Sequence, residues 1–149
     1  MKLKSKLMTL GLVLCASFAT SASVSAATPA AATSTQEHGY KTVNAEELKS
    51  WIDSGKAMQI IDARPKKYED GDVITGAKFL PFNADAKAIA KALPSKDALI
   101  VVYCASVQCP ASGLLGDQLV KMGYTNVYKY PGGINEWMEK KLPTQKLKG

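Results

Sequence analysis

Ala98-Leu99-Ile100-Val101-Val102-Tyr103, followed at once by Cys104-Ala105-Ser106-Val107-Gln108-Cys109-Pro110, is the stretch on which the fold of this chain turns. Its first six residues are apolar without alternation. A strand covered on both faces reads this way, whereas a half-solvated strand shows a polar residue at every second position. After Tyr103 the character changes to a short loop of small and polar residues. Pro110 then opens a helical pattern, its fixed φ suiting a first helical position. A buried strand that runs through a loop into a helix is half of a β-α-β unit.

Downstream, Leu115, Leu119 and Met122 recur at helical spacing until Gly123, and Val127 to Tyr130 reads as a further strand. Pro131-Gly132-Gly133 turns the chain into a last helix carrying Ile134, Trp137 and Met138. Upstream, Asn83 to Leu93 is expected to be helical, with Ile89, Ala90 and Leu93 on one face and Pro94 as its stop. Ala77 to Pro81 is a weaker strand. Met58 to Ile61, ending at Asp62, is a short buried one. Asn44 with Glu47 makes a capping-box-like start for a helix of Leu48, Trp51 and Ile52 that Gly55 ends. Strands alternating with helices predict an α/β fold: a mostly parallel central sheet with helices on both faces. That unit is placed at residues 40–149, without internal repeat or second domain, in a chain whose 149 residues match one ordinary domain.

The amino end has a different composition. Lys2, Lys4 and Lys6 precede the uncharged stretch Leu7 to Thr20, and small residues ending in Val24-Ser25-Ala26 follow. Basic head, short apolar middle and small-residue exit predict a secretory signal peptide over 1–26, cleaved near Ala27. The apolar stretch is short for a membrane span, so no stable span is expected after cleavage. Leu14 before Cys15 argues against lipoprotein processing, which wants a small residue there. Residues 27–39, rich in Ala, Thr, Ser and Pro, read as a flexible lead-in, and His38 within it is assigned no catalytic role. The exported product would be periplasmic or secreted, in an oxidising compartment.

Composition narrows the function classes. With 46% hydrophobic and 21% charged residues the chain is neither disordered nor a disulfide miniprotein. The formal charge of +6 invites a nucleic-acid reading, but loss of the three leader lysines takes 19 basic residues to 16 against 13 acidic ones. The remaining lysines are spread along the chain, so no nucleic-acid partner is expected. No cofactor is implied. A structural zinc wants four ligands, and only the cysteine pair is evident, so no metal is assigned. The sequence leaves the oligomeric state open.

The chemistry should lie beyond the carboxyl ends of the strands, where open parallel sheets bind ligands. Cys104 stands there, after the most buried strand and before a helix whose amino end carries unsatisfied N–H groups and a partial positive charge. Both favour a thiolate. An ordinary cysteine, with a pKa of about 8.5, is only a few per cent thiolate at neutral pH, and a downward shift of about two units makes the nucleophile predominant.

The run from Val101 to Trp137 resembles the catalytic half of a single-domain rhodanese-like sulfurtransferase. Asp62-Ala63-Arg64 is similar to that family's Asp-x-Arg element, and Gly76-Ala77 with Pro81 to its Gly-Ala-x-x-x-Pro element. Gly132, Gly133, Ile134 and Trp137 match its terminal Gly-Gly-Ile-x-x-Trp element, and the likeness spans Tyr40 to Leu142. It implies a ping-pong reaction. Cys104 takes sulfane sulfur from thiosulfate, a polysulfide or a persulfide, holds it as a persulfide, and passes it to cyanide or a thiol, a protein thiol included. The backbone N–H groups of Ala105, Ser106, Val107, Gln108 and Cys109 would hold the anionic sulfur. Asp62 and Arg64 are read as a structural ion pair near the crevice, Gly132 and Gly133 as turn positions, and Trp137 as core.

Departures from the family pattern carry information too. No arginine or lysine lies in the loop, where many rhodaneses end in a basic residue, so weak activity on dianionic thiosulfate is expected. The histidine common before Gly76 is absent, with Asp72 and Val73 nearby. Phosphatases of this fold clamp phosphate with an arginine at the loop's end. The only arginine here, Arg64, is far from it in sequence. Cys109 is expected to resolve the Cys104 persulfide or to protect Cys104 as a reversible disulfide. A purely structural bridge across so short a loop would contribute only about 2 kcal/mol. The alternative from another class is a thiol-disulfide redox protein or non-catalytic sulfur carrier using Cys104 and Cys109.

Overall fold

Ile100, Val101, Val102 and Tyr103 are all buried, and the strand they form is the middle one of five. The computed structural model describes residues 39–69 and 71–147. The proposed leader, nearly all of the lead-in and His38 lie outside the described residues. In chain order the elements are β1 (Lys41–Thr42), α1 (Ala45–Asp53), β2 (Gln59–Asp62), a 3-10 turn (Lys66–Tyr68), β3 (Asp72–Ile74) and β4 (Ala77–Phe79). Then follow α2 (Ala86–Ala92), β5 (Ile100–Tyr103), α3 (Ala111–Lys121), β6 (Val127–Tyr130), α4 (Gly133–Glu139) and β7 (Thr144–Lys146). The main sheet runs β1-β6-β5-β2-β4 with every neighbouring pair parallel.

Alternation along β5 divides the core in two. Ile100 and Val102 pack with Ile89 of α2 and with Ala111, Leu115 and Leu119 of α3, and Cys104 continues that set. Val101 and Tyr103 face the other way, against Leu48 of α1 and Ile134 and Trp137 of α4. Helices therefore cover both faces, as the unbroken apolar run of β5 requires. Among the described residues no helix is long and apolar enough to cross a membrane.

Local chemistry sets the element ends. The Asn44 side chain accepts the Glu47 N–H at 2.8 Å to cap α1, and Gly55, at φ +66°, lies just beyond that helix. The helix expected from Asn83 begins three residues later, because Asp85 is its cap, accepting the Ala88 N–H at 2.7 Å. Ala90 is exposed rather than core, being a helical step of about 100° round from Ile89, while Ile89 and Leu93 are buried as expected. Met138 is likewise 49% exposed although Ile134 and Trp137 are buried. An antiparallel pair absent from the sequence reading, β3 with β7, joins Asp72–Ile74 to Thr144–Lys146.

Candidate active site

Cys104 follows β5 directly, at the carboxyl edge of the central strand. Two hydrogen bonds pin its backbone: the Cys104 carbonyl accepts the Ile134 N–H at 2.9 Å, and the Ala105 carbonyl accepts that of Asn135 at 3.0 Å. The amino end of α4 thus clamps the start of the loop. Gly133 makes the approach possible. It sits at φ +65°, and a Cβ there would lie 2.5 Å from the Cys104 oxygen and 2.7 Å from the Ala105 carbonyl carbon.

The loop closes on itself. Cys104 and Cys109 are joined as a disulfide with their Cα atoms 6.2 Å apart. The Cys109 N–H donates to the Ser106 carbonyl at 3.1 Å, so it is spent inside the loop rather than held for a ligand. Ser106 Oγ donates to the Gln108 side-chain oxygen at 2.9 Å. Among the described residues no acceptor takes the N–H of Ala105, Ser106, Val107 or Gln108. Four donors therefore stand unpaired in the loop between the cysteines, and α3, eleven residues long, begins just after it. Exposure is uneven: Cys104 is 1% exposed, Cys109 is half-buried, and Val107 at the loop's outer side is 69% exposed.

Asp62 and Arg64 are brought to the same edge of the sheet but to its other face. Asp62 is paired in register with Tyr103, not with Cys104. Arg64 Nη2 lies 2.6 Å from Asp62 Oδ2, and its Nε donates to both carboxylate oxygens at 3.0 and 2.9 Å. A further Nη2 bond reaches the Asp72 carbonyl at 2.7 Å. The Tyr103 hydroxyl donates to Asp62 Oδ2 at 3.1 Å and accepts the Ile74 N–H at 3.2 Å. Burial, and then the Asp62 charge, push the Tyr103 phenol well above its ordinary 10.0. Burial opposes the Arg64 charge, yet the Asp62 hydrogen bonds and charge outweigh it and hold the guanidinium more firmly protonated. Among the described residues no cluster of three or more His, Cys, Asp or Glu is arranged around a metal position.

A family model described as the Rhodanese-like domain matches residues 44–140, from the cap of α1 to the end of α4. The chain belongs to the rhodanese-like family. It is 28% identical over 102 residues to a Mycobacterium tuberculosis protein named "Probable adenylyltransferase/sulfurtransferase MoeZ". The match covers 68% of this chain but 26% of that relative, so the chain spans about a quarter of its length. The BH2092 protein of Bacillus halodurans shares the fold, with a TM-score of 0.65 at 22% identity over 72% of this chain and 77% of the other. An Escherichia coli rhodanese solved with anions is 30% identical, with a TM-score of 0.50, and the match covers 61% of this chain and all of that one.

Within this rhodanese-like domain the family's terminal glycine element has a definite task. Gly133, Ile134 and Asn135 are the clamp on Cys104, which a reading of the glycines as turn positions did not reveal. The signal available was the two adjacent glycines ahead of a helix: a backbone that must approach another backbone closely. Tyr103 was also missed as a polar partner. Reading β2 and β5 as alternating would have placed its ring on the Asp62 side. Trp137 is core, as expected, and its indole N–H donates to the Pro143 carbonyl at 2.8 Å.

Proposed function

We propose that this rhodanese-like domain is a sulfurtransferase that carries sulfane sulfur on Cys104 and hands it to a thiol or cyanide. The observation that carries the proposal is the loop of unpaired N–H groups at residues 105–108, closing on a cysteine clamped at the end of the central strand. Such donors stabilise a thiolate or persulfide anion more than the neutral thiol. MoeZ's name includes sulfurtransferase, and the Escherichia coli rhodanese was solved with anions, both consistent with this reading. The N–H groups that can serve are those of Ala105, Ser106, Val107 and Gln108.

Donor preference follows from charge. The loop holds no lysine or arginine, and the Arg64 guanidinium is occupied by Asp62 and Asp72 on the opposite face. Backbone dipoles suit a singly charged persulfide or polysulfide better than dianionic thiosulfate. We place the mature protein outside the cytoplasm, periplasmic or secreted, on the leader-like residues 1–26. The test loads reduced protein with inorganic polysulfide and weighs it. Wild type should gain sulfur and yield thiocyanate from cyanide, Cys104→Ser should do neither, and retention of a stable sulfur by Cys104→Ser would remove Cys104 as the carrier.

The disulfide favours a second reading, a thiol-disulfide redox protein. A redox titration separates the two: a reduction potential in the range of dedicated oxidants, without thiocyanate formation, selects the redox protein.

A further inference from the structure

The Cys104–Cys109 bridge is asymmetric, and the asymmetry bears on how sulfur reaches a site whose carrier is covered. Cys104 is 1% exposed, its carbonyl is held by Ile134 and the next by Asn135. Cys109 is half-buried, lies on the far side of the solvent-facing Val107 and Gln108, and its N–H is tied only to Ser106 within the loop. An incoming nucleophile therefore meets Cys109 first, and the thiolate it displaces is that of Cys104, at the start of the loop whose Ala105 to Gln108 N–H groups have no acceptor among the described residues. A good leaving thiolate is a stabilised one.

We propose that the oxidised site is itself a sulfur acceptor, taking one sulfane sulfur from a small-thiol persulfide and storing it as a trisulfide between Cys104 and Cys109. The proposal rests on the sulfur-transfer reading above. The persulfide anion RSS⁻ attacks Cys109 Sγ, the Cys104–Cys109 bond breaks, and its electron pair leaves on Cys104 Sγ. The product on Cys109 is the chain R–S–S–S–Cys109. The Cys104 thiolate then attacks the middle sulfur of that chain, the bond to the RS sulfur breaks, and RS⁻ departs. The balance is disulfide plus RSS⁻ giving trisulfide plus RS⁻, with no oxidant or reductant consumed. Delivery runs the same exchanges in reverse with an acceptor thiolate, or with cyanide to give thiocyanate, and restores the disulfide.

The extra atom must lengthen the bridge. The Cα atoms stand 6.2 Å apart, in the upper part of the range of about 4.4–6.8 Å that disulfides span. The Cys104 carbonyl is pinned by α4, whereas Cys109, although it packs against the core, has no backbone hydrogen bond from outside the loop, so the added length is taken up on the Cys109 side, where Val107 and Gln108 face solvent. Such a cycle lets a sulfur carrier work in an oxidising compartment without first being reduced.

The experiment uses the full mature chain in its oxidised form, confirmed by its failure to react with iodoacetamide, and glutathione persulfide as the probe. Intact mass and the mass of the peptide spanning residues 97–121 are read before and after iodoacetamide. Expected is a gain of one sulfur atom on that peptide with no alkylation, and its loss as thiocyanate when cyanide is added. Cys109→Ser should instead load its sulfur as a persulfide that iodoacetamide caps. If oxidised wild type gains nothing while reduced protein loads sulfur on Cys104, the trisulfide is refuted and the sulfurtransferase stands. A gain that always brings an alkylatable group with it refutes the trisulfide too. If neither form loads, both readings fall together.

Discussion

Tyr103 and Cys104 are consecutive residues at the end of one strand, and they face opposite worlds. On the Tyr103 side every polar group named is matched: Asp62 is held by Arg64 and Tyr103, Arg64 also by Asp72, and the Tyr103 hydroxyl both donates and accepts. On the Cys104 side the donors of Ala105 to Gln108 have no partner among the described residues, and no charged side chain lies in the loop. On the function proposed above, the difference separates a device for stability from a device for chemistry. A satisfied charge network fixes the ends of β2, β3 and β5. An unsatisfied set of dipoles is what a transient anion can use.

The largest effect tests the reactive side. Cys104→Ser in reduced protein should abolish sulfur loading and thiocyanate formation altogether while leaving far-ultraviolet circular dichroism unchanged. Residual turnover above a few per cent, measured as thiocyanate release, would move the chemistry to another group. The next tests the opposite side. Asp62→Ala strands a buried guanidinium and should cost about 3–5 kcal/mol in urea unfolding, with the folded fraction still loading sulfur at Cys104. Loss of loading in protein shown to be folded would mean that the two sides are not separable.

Gly133→Ala joins the two regions, because α4 packs in the Tyr103 core and clamps the Cys104 loop. A methyl group 2.5 Å from the Cys104 oxygen, on a backbone at φ +65°, must push the clamp open. The expected cost is about 2–3 kcal/mol, accompanied by a slower loading rate in folded protein. Unchanged stability and rate would show that the clamp does not position Cys104.

How much of this was legible in the sequence depended on the range of the causes. β5 was legible because a strand buried on both faces leaves an unbroken apolar run, and α1 because Asn44 and Glu47 act within one turn. The sheet with helices on both faces followed from such local signals. The β3–β7 pair was not legible: each strand has three residues, and the partner of Asp72–Ile74 lies at the far end of the domain. The true start of α2 was obscured because both Asn83 and Asp85 are competent caps, and Asp85 is the one that caps it. At the site, Cys104, Cys109 and the Asp62–Arg64 pair could be named from residue type and position. Which face each occupied, and that Gly133 clamps Cys104, required the register and packing of strands distant in sequence.

The smallest effect concerns Tyr103, the neighbour in sequence of the proposed sulfur carrier. Tyr103→Phe removes the hydroxyl that donates to Asp62 and accepts from Ile74, leaving the Ile74 N–H buried without a partner, and should cost about 1–2 kcal/mol at neutral pH. The dependence on pH has a definite sign. Burial, and then Asp62, raise the folded-state pKa of Tyr103 above its ordinary 10.0. The folded chain therefore retains a proton that the unfolded chain releases, and the resulting stability is complete below about pH 10 and declines as pH rises beyond it. Tyr130, raised by burial and by its bond to Glu136, adds a decline of the same sign. Thermal melts of wild type between about pH 9 and pH 11 should show a steeper loss than those of Tyr103→Phe, so the two curves converge in alkali. Parallel curves would mean that the phenol ionises as readily in the fold as in water, and the Tyr103 side would lose its standing as the fully satisfied one.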